Sequence, residues 1–234
     1  MRQLTQKLKS GQMEILEVPE PNILKGHILV KNIFSLISAG TESSTVKAAR
    51  KGYIGKAKER PQQVKQVIDT IQTQGIVHTY RAVMKKLDAY SPLGYSCVGK
   101  VVSINQGSKQ FAIGDYVACG GLTASHSEIV CVPENLCVKL ESSTDLKQAA
   151  YNTLGAIAMQ GVRQADLRIG ETCAVIGLGL IGQITAILLR VSGVRVVGID
   201  IDNNMVEIAK KQCLDLALHR NQHGIEDKIF HFTY

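Results

Sequence analysis

The sequence predicts two domains of different class: a β-rich domain over residues 1–150, then part of a doubly wound α/β domain over 151–234. Three observations lead there. Residues 1–38 and 94–140 are short β-rich runs broken by turn residues. Residues 173–202 read as a buried strand, a glycine turn, a helix and a second strand. A helical stretch from about Leu146 to Leu167 stands between the two patterns, and the boundary falls near residues 145–165.

The elements follow in order. Ser10-Gly11 marks a turn between two short strands, Pro19 and Pro21 end the second, and His27 to Ile37 forms a long β-rich run. Residues 43–90 change character. Val64, Val67, Ile68 and Ile71 recur at helical spacing between Pro61 and Gly75, and Tyr80, Val83, Met84 and Leu87 repeat the pattern. This predicts a helical insertion with apolar stripes and basic outer faces. Strands return at Gly99–Ile104, Asp115–Ala118 and Ser127–Val132, with Gly114-Asp115 and Pro133-Glu134-Asn135 between them.

Composition narrows the class. With 45% hydrophobic and 20% charged residues, the 234-residue chain reads as an ordinary globular protein with a sizeable core. No stretch reaches the roughly 18 apolar residues of a membrane span, and the N-terminal residues lack the apolar core of a signal peptide. The six cysteines form no C-x-x-C pair, which predicts reduced, buried thiols and a cytoplasmic location. The charge is uneven. Residues 44–90 hold 10 Lys and Arg against 3 Asp and Glu, which equals the whole net charge of +7. An anion-binding rim, a docking surface for a partner domain and a solvated helical face all remain open for this segment. Aromatic interleaving is sparse, and nucleic acid is not expected as a partner.

The turn is the motif with the most chemistry. Gly177-Leu178-Gly179-Leu180-Ile181-Gly182 follows the strand Thr172–Ile176 and opens a helix over Gln183–Val191; the next strand, Arg195–Ile199, ends in Asp200. Gly177 permits a tight turn, Gly179 lets the backbone approach a pyrophosphate, and Gly182 allows close helix–strand packing. The helix N-terminus turns its unpaired N–H groups toward the phosphates. Asp200 would accept from a ribose 2′-OH and repel a 2′-phosphate, so NAD is expected over NADP.

With these motifs on the page, the chain resembles the medium-chain dehydrogenase/reductase family, the zinc-type alcohol dehydrogenases. The resemblance rests on Ala39-Gly40-Thr41-Glu42, Gly94-Tyr95-Ser96-x-x-Gly99-x-Val101, Gly114-Asp115-Tyr116-Val117 and the glycine turn. It looks closest to the dehydrogenase-like half of two-domain oxidoreductases of bacterial polysaccharide biosynthesis. The resemblance implies a GroES-like catalytic domain followed by a Rossmann domain. It also implies hydride transfer between the nicotinamide and an alcohol or ketone, a sugar or nucleotide sugar among them. Departures from the family pattern matter as much. Ala39 stands where a ligand Cys is usual, Tyr95 and Ser96 where His and Glu are usual, and Asn152 or Thr153 near the third ligand position. The four-cysteine lobe is absent. No bound zinc is therefore expected.

In place of a metal, Thr41 matches the family's proton-relay hydroxyl. Tyr95 stands where its phenol could donate to a substrate carbonyl, or where it simply fills space. Glu42 is expected to hold its turn through backbone N–H groups. His126 is expected to be a surface histidine, and Cys97 and Cys119 inert thiols. Asn203–Gln212 predicts a further helix and Leu214–Leu218 a short third strand, about half of the usual six. The first strand would then be an exposed apolar edge. A truncated chain or coverage by a second copy, as in a homodimer, would account for it. A non-catalytic nucleotide-binding or scaffold module is the alternative to an enzyme.

Overall fold

A computed structural model describes residues 1–43, 65, 69, 72–73, 75–105, 110–212 and 214–233. The expected helix carrying Val64 to Ile71 lies outside these residues, and so does Cys213. The chain divides into two compact units, Met1–Tyr151 and Asn152–Tyr234.

The first unit is β-rich. Its elements are β1 (Arg2–Lys7), β2 (Met13–Glu17), β3 (His27–Ser35), α1 (Ile76–Asp88), β4 (Tyr90–Pro92), β5 (Ser96–Ile104), β6 (Tyr116–Gly120), β7 (Ile129–Pro133), β8 (Cys137–Lys139) and α2 (Leu146–Ala149). They form a three-stranded sheet of order β2-β1-β4 and a five-stranded sheet of order β7-β3-β5-β6-β8, antiparallel throughout. Inward residues alternate along β3, and Ile28 and Val30 are fully buried with Val101, Val117 and Val132. Each such side chain contributes roughly 1.5–3 kcal/mol.

Two irregularities in the β3–β5 register, at Leu29/Val30 and at Asn32/Phe34, bend β3 near its end. Gly99 lies opposite Asn32, and a Cβ there would strike the Lys31 carbonyl oxygen. Among the described side chains of α1, Thr79 is buried, Val83 and Met84 are half-buried and Tyr80 is exposed. The stretch expected as one helix from Leu146 is broken: α2 is capped by the Asp145 carboxylate and ends before Tyr151.

The second unit is α/β. α3 (Asn152–Ala165) leads into β9 (Thr172–Ile176), α4 (Leu180–Val191), β10 (Arg195–Asp200), α5 (Asn203–Lys211), β11 (Leu216–His219) and α6 (Ile225–Thr233). The strands are parallel in the order β11-β10-β9, the expected winding, with β9 at the edge and Ile176 exposed. Leu178, Ala186, Leu189, Val196 and Val206 fill the core between sheet and helices. Arg195 stacks its guanidinium 4.4 Å from the Phe232 ring centroid, tying α6 to β10. No helix among the described residues is long and apolar enough to cross a membrane.

Candidate functional site

In the α/β unit the site is the turn between β9 and α4. Gly177 has φ +93°, a left-handed conformation that favours glycine, and the chain reverses there. A Cβ on Gly182 would collide with the Gly177 carbonyl oxygen, so α4 lies as close to the turn as backbone allows. Around Gly179 space is open. Leu180 and Ile181 start the helix, three residues earlier than the sequence suggests, and helix geometry leaves the first-turn N–H groups without intrahelical acceptors.

Asp200 ends β10 beside this turn. Its carboxylate accepts from the backbone N–H of Leu178 at 2.5 Å and from that of Asp202 at 2.8 Å. Burial pushes the carboxyl up, but the N–H groups of Asp202, Leu178 and Ile201, with His219 nearby, outweigh it and hold the group below the ordinary range. Asp200 is thus a charged anchor held by backbone N–H groups. A pocket of about 330 Å³ opens here, lined by Ile176, Gly177, Ile199, Asp200, Ile201 and Arg220.

Two residues of this turn escape motif reading. Gln183 is buried and donates from Nε2 to the carbonyls of Leu178 at 3.0 Å and Met205 at 3.1 Å, bracing the turn from inside. Gly198 has no room for a Cβ, which would sit 2.8 Å from Leu178 Cδ2. A lone amide on an apolar helix face and a glycine inside a strand are the available signals.

In the β-rich unit Thr41 lies in a helical turn over 39–43 and its Oγ1 accepts from Ser38 Oγ at 3.2 Å. Glu42 accepts the Ser38 backbone N–H at 3.0 Å, the turn-holding role expected of it. Tyr95, half-buried, occupies a bend just before β5. Ser96 is buried with its hydroxyl given to the Ala150 carbonyl at 2.7 Å.

His126 is not a surface histidine. Its side chain is only 7% exposed, and its ring is held at both nitrogens: Nδ1 by Ser35 Oγ at 2.8 Å, Nε2 by Glu42 Oε1 at 3.2 Å. Its neighbour in sequence, Glu128, turns instead to Arg2. The physical reason for the burial is the β3 bend, which brings Ser35 under the 125–127 segment. Sequence reading could not find this pairing, since the partners are 91 and 84 residues away.

Zinc, which the family resemblance raises, does not fit this donor set. Ala39 has no lone pair, Ser96 is committed to a carbonyl, and Glu42 and His126 are bonded to each other. Among the described residues no three His, Cys, Asp or Glu side chains group for a metal. Of the other histidines, His219 stands beside Asp200 and bonds the Ile201 carbonyl, and His231 lies edge-on to Phe230. Cys97, Cys119 and Cys137 are buried thiols, with Cys137 Sγ 3.6 Å from Cys119 Sγ. The hydrogen bond to the Cys119 thiol, and then burial, raise Cys137 far above the ordinary thiol range.

No family model matches the chain. It is 33% identical over 129 residues to D-guloside 3-dehydrogenase of Shigella flexneri, a match covering 54% of this chain and 37% of that protein. The galactitol-1-phosphate dehydrogenase structure from Escherichia coli superposes with a TM-score of 0.74 at 14% identity, covering 100% of this chain and 66% of that one. The Escherichia coli quinone oxidoreductase complexed with NADPH gives 0.73 at 15%, covering 99% and 63%. The chain therefore spans little more than a third of the curated relative in alignment, and under two thirds of these structures in fold. A β-rich unit followed by a glycine-turn α/β unit is the fold of these structures, and the curated relatives are named dehydrogenases, so the chain resembles the medium-chain dehydrogenase/reductase family of alcohol dehydrogenase-like enzymes.

Proposed function

We infer that the chain carries the NAD-binding turn and the substrate face of a dehydrogenase that oxidises a small hydroxyl compound, or reduces its ketone, without catalytic zinc. The observation that carries this reading is the Gly177–Gly182 contact beside Asp200, a cradle a Cβ would fill. Such a turn fits a dinucleotide, which when bound supplies a hydride-accepting or hydride-donating nicotinamide. The first-turn N–H groups of α4 would hold its pyrophosphate. The carboxylate of Asp200 suits a ribose 2′-OH, and its charge opposes a 2′-phosphate. Arg220, in the same pocket, is among the described residues the one cation lining it and weakens that opposition without removing it.

Thr41 and Tyr95 are the hydroxyls we assign to proton exchange with the substrate oxygen. A sugar or nucleotide sugar is the substrate class we favour, and the sugar-related names of the relatives above support it. Coverage of the β9 edge by a second copy, and docking of a partner domain at the basic 44–90 segment, remain part of this reading.

NADH and NADPH fluorescence titrations in parallel test it. Saturable NADH binding tighter than NADPH is expected, and absence of both overturns it. Elemental analysis finding about one zinc per chain would remove the metal-free part. The second reading, a non-catalytic nucleotide-binding module, is favoured by one residue, Ala39, and requires NADH binding without turnover of any polyol.

A further inference from the structure

His126 is fixed with a thoroughness that a space-filling side chain does not need. Asn32, on the bent end of β3, donates from Nδ2 to the carbonyls of Ser125 at 3.1 Å and Ser127 at 2.7 Å, on either side of His126. His126 itself donates its backbone N–H to Leu93 at 2.7 Å and accepts from that of Leu4 at 2.9 Å. Gly94 lies flat against the ring: a Cβ there would be 2.8 Å from Cε1 and Cγ. Backbone, ring face and both ring nitrogens are all held.

The bonds also fix the tautomer. A carboxylate can only accept, so the Nε2 that meets Glu42 carries the proton. In a neutral ring Nδ1 is then bare, and Ser35 must be the donor to it. The order is hydroxyl to imidazole to carboxylate, with the carboxylate side chain 12% exposed. The hydroxyl end opens on a pocket of about 320 Å³ whose polar wall includes Arg2, Asn32, Ser35, Ser127 and Glu128. Arg2 and Glu128 are doubly bonded there, at 2.8 Å through both Nε and the backbone N–H of Arg2. Hydroxyl, amide and a fixed charge pair together suit a ligand with several hydroxyl groups.

We propose that Ser35, His126 and Glu42 form a proton-transfer chain, and that the polar pocket at its Ser35 end takes a polyhydroxy ligand whose hydroxyl exchanges its proton with Ser35. The ligand O–H proton passes to Ser35 Oγ as the Ser35 proton passes to Nδ1, leaving an imidazolium against the Glu42 carboxylate. The alkoxide so formed takes its proton back by the reverse path, and neither binding nor exchange rests on the dehydrogenase reading.

The test is NMR of the chain with ¹⁵N-labelled histidine, titrated with sorbitol, galactitol and xylitol, with and without NADH. The His126 ring is expected as the Nε2–H tautomer, and its resonances are expected to shift saturably with at least one polyol. Ser35→Ala should abolish the shift while NADH affinity stays unchanged, and Ser35→Thr, which keeps a hydroxyl, should restore it. A wild-type ring with Nδ1–H, no response to any of the three polyols, or a shift that survives Ser35→Ala overturns the proposal. Failure of the dehydrogenase reading looks different: NADH does not bind, and the polyol shift remains.

Discussion

In the α/β unit, the residues lining the pocket at Asp200 all come from one stretch, Ile176 to Arg220. In the β-rich unit, Ser35, Glu42 and His126 are brought together across 84 to 91 residues by strand pairing and a bent β3. The first site is made of backbone: a left-handed glycine, a helix start and N–H groups on a carboxylate. The second is made of side chains whose meeting depends on the whole five-stranded sheet. A site of the first kind is lost by adding an atom to the backbone path. A site of the second kind is lost when anything displaces one of its three members.

The largest effect should come from a glycine that belongs to both descriptions. Gly94 has φ +93°, and a Cβ would press on the His126 ring and backbone N at 2.8 Å. Gly94→Ala adds a left-handed strain of about 1–2 kcal/mol to overpacking of about 1–3 kcal/mol. Urea unfolding of the chain should show roughly 3 kcal/mol lost, and His126 resonances should move even in the folded variant. A cost under about 1 kcal/mol would mean that the ring is not clamped.

Gly182→Ala makes the matching test in the other unit. Its Cβ meets the Gly177 carbonyl, which cannot swing aside as a side chain can. About 1–3 kcal/mol of strain is expected, read as a loss of NADH affinity of roughly 10- to 100-fold. The His126 resonances should be unchanged. If they move, the two sites are not independent, and the contrast drawn above fails.

That contrast also decides what the sequence could tell. The strand–turn–helix around Gly177, the winding of β9 to β11 and the anchor Asp200 are local in sequence, and local spacing exposes them. Glu42 holding its turn is equally local, with Ser38 four residues away. His126 is the opposite case: nothing in Ala124 to Glu128 indicates that a bent strand 91 residues earlier brings Ser35 beneath it. The helix expected from Leu146 is a third case, since it consists of two helices separated by Ala150 and Tyr151. Periodicity sees the apolar spacing but not a break of two residues within it.

Asp200→Asn should have a smaller and pH-dependent effect. The folded carboxyl is held below its ordinary value, so it contributes stability above the unfolded pKa near 4, and that contribution disappears as pH falls through the lowered folded value. The wild type should therefore lose stability on acidification below about pH 4, and the variant should show a flatter acid limb in thermal melts. Near neutrality the variant keeps one acceptor and should lose about 1 kcal/mol. Removing the charge should also narrow the gap between NADH and NADPH titrations, and an unchanged gap would shift cofactor choice to Arg220.

The smallest effect is expected at the rim of the side-chain site, where Arg2 meets Glu128. The pair is well formed, with Nε and a terminal guanidinium nitrogen both 2.8 Å from Glu128 Oε1, yet the side chains are 70% and 43% exposed. The backbone N–H and guanidinium of Arg2 hold the Glu128 carboxyl below its ordinary range, and water screens most of that advantage. Arg2→Ala leaves the backbone N–H to Glu128 intact, so the loss should be the smallest of the series and shrink further in high salt. The value of the variant lies in its second readout. Arg2 faces the pocket without touching His126, so in polyol titrations it should weaken binding while the His126 tautomer stays as in the wild type. A changed tautomer would show that the buried triad leans on its exposed rim, and the division between backbone-built and side-chain-built sites would have to be redrawn around the pocket instead of the ring.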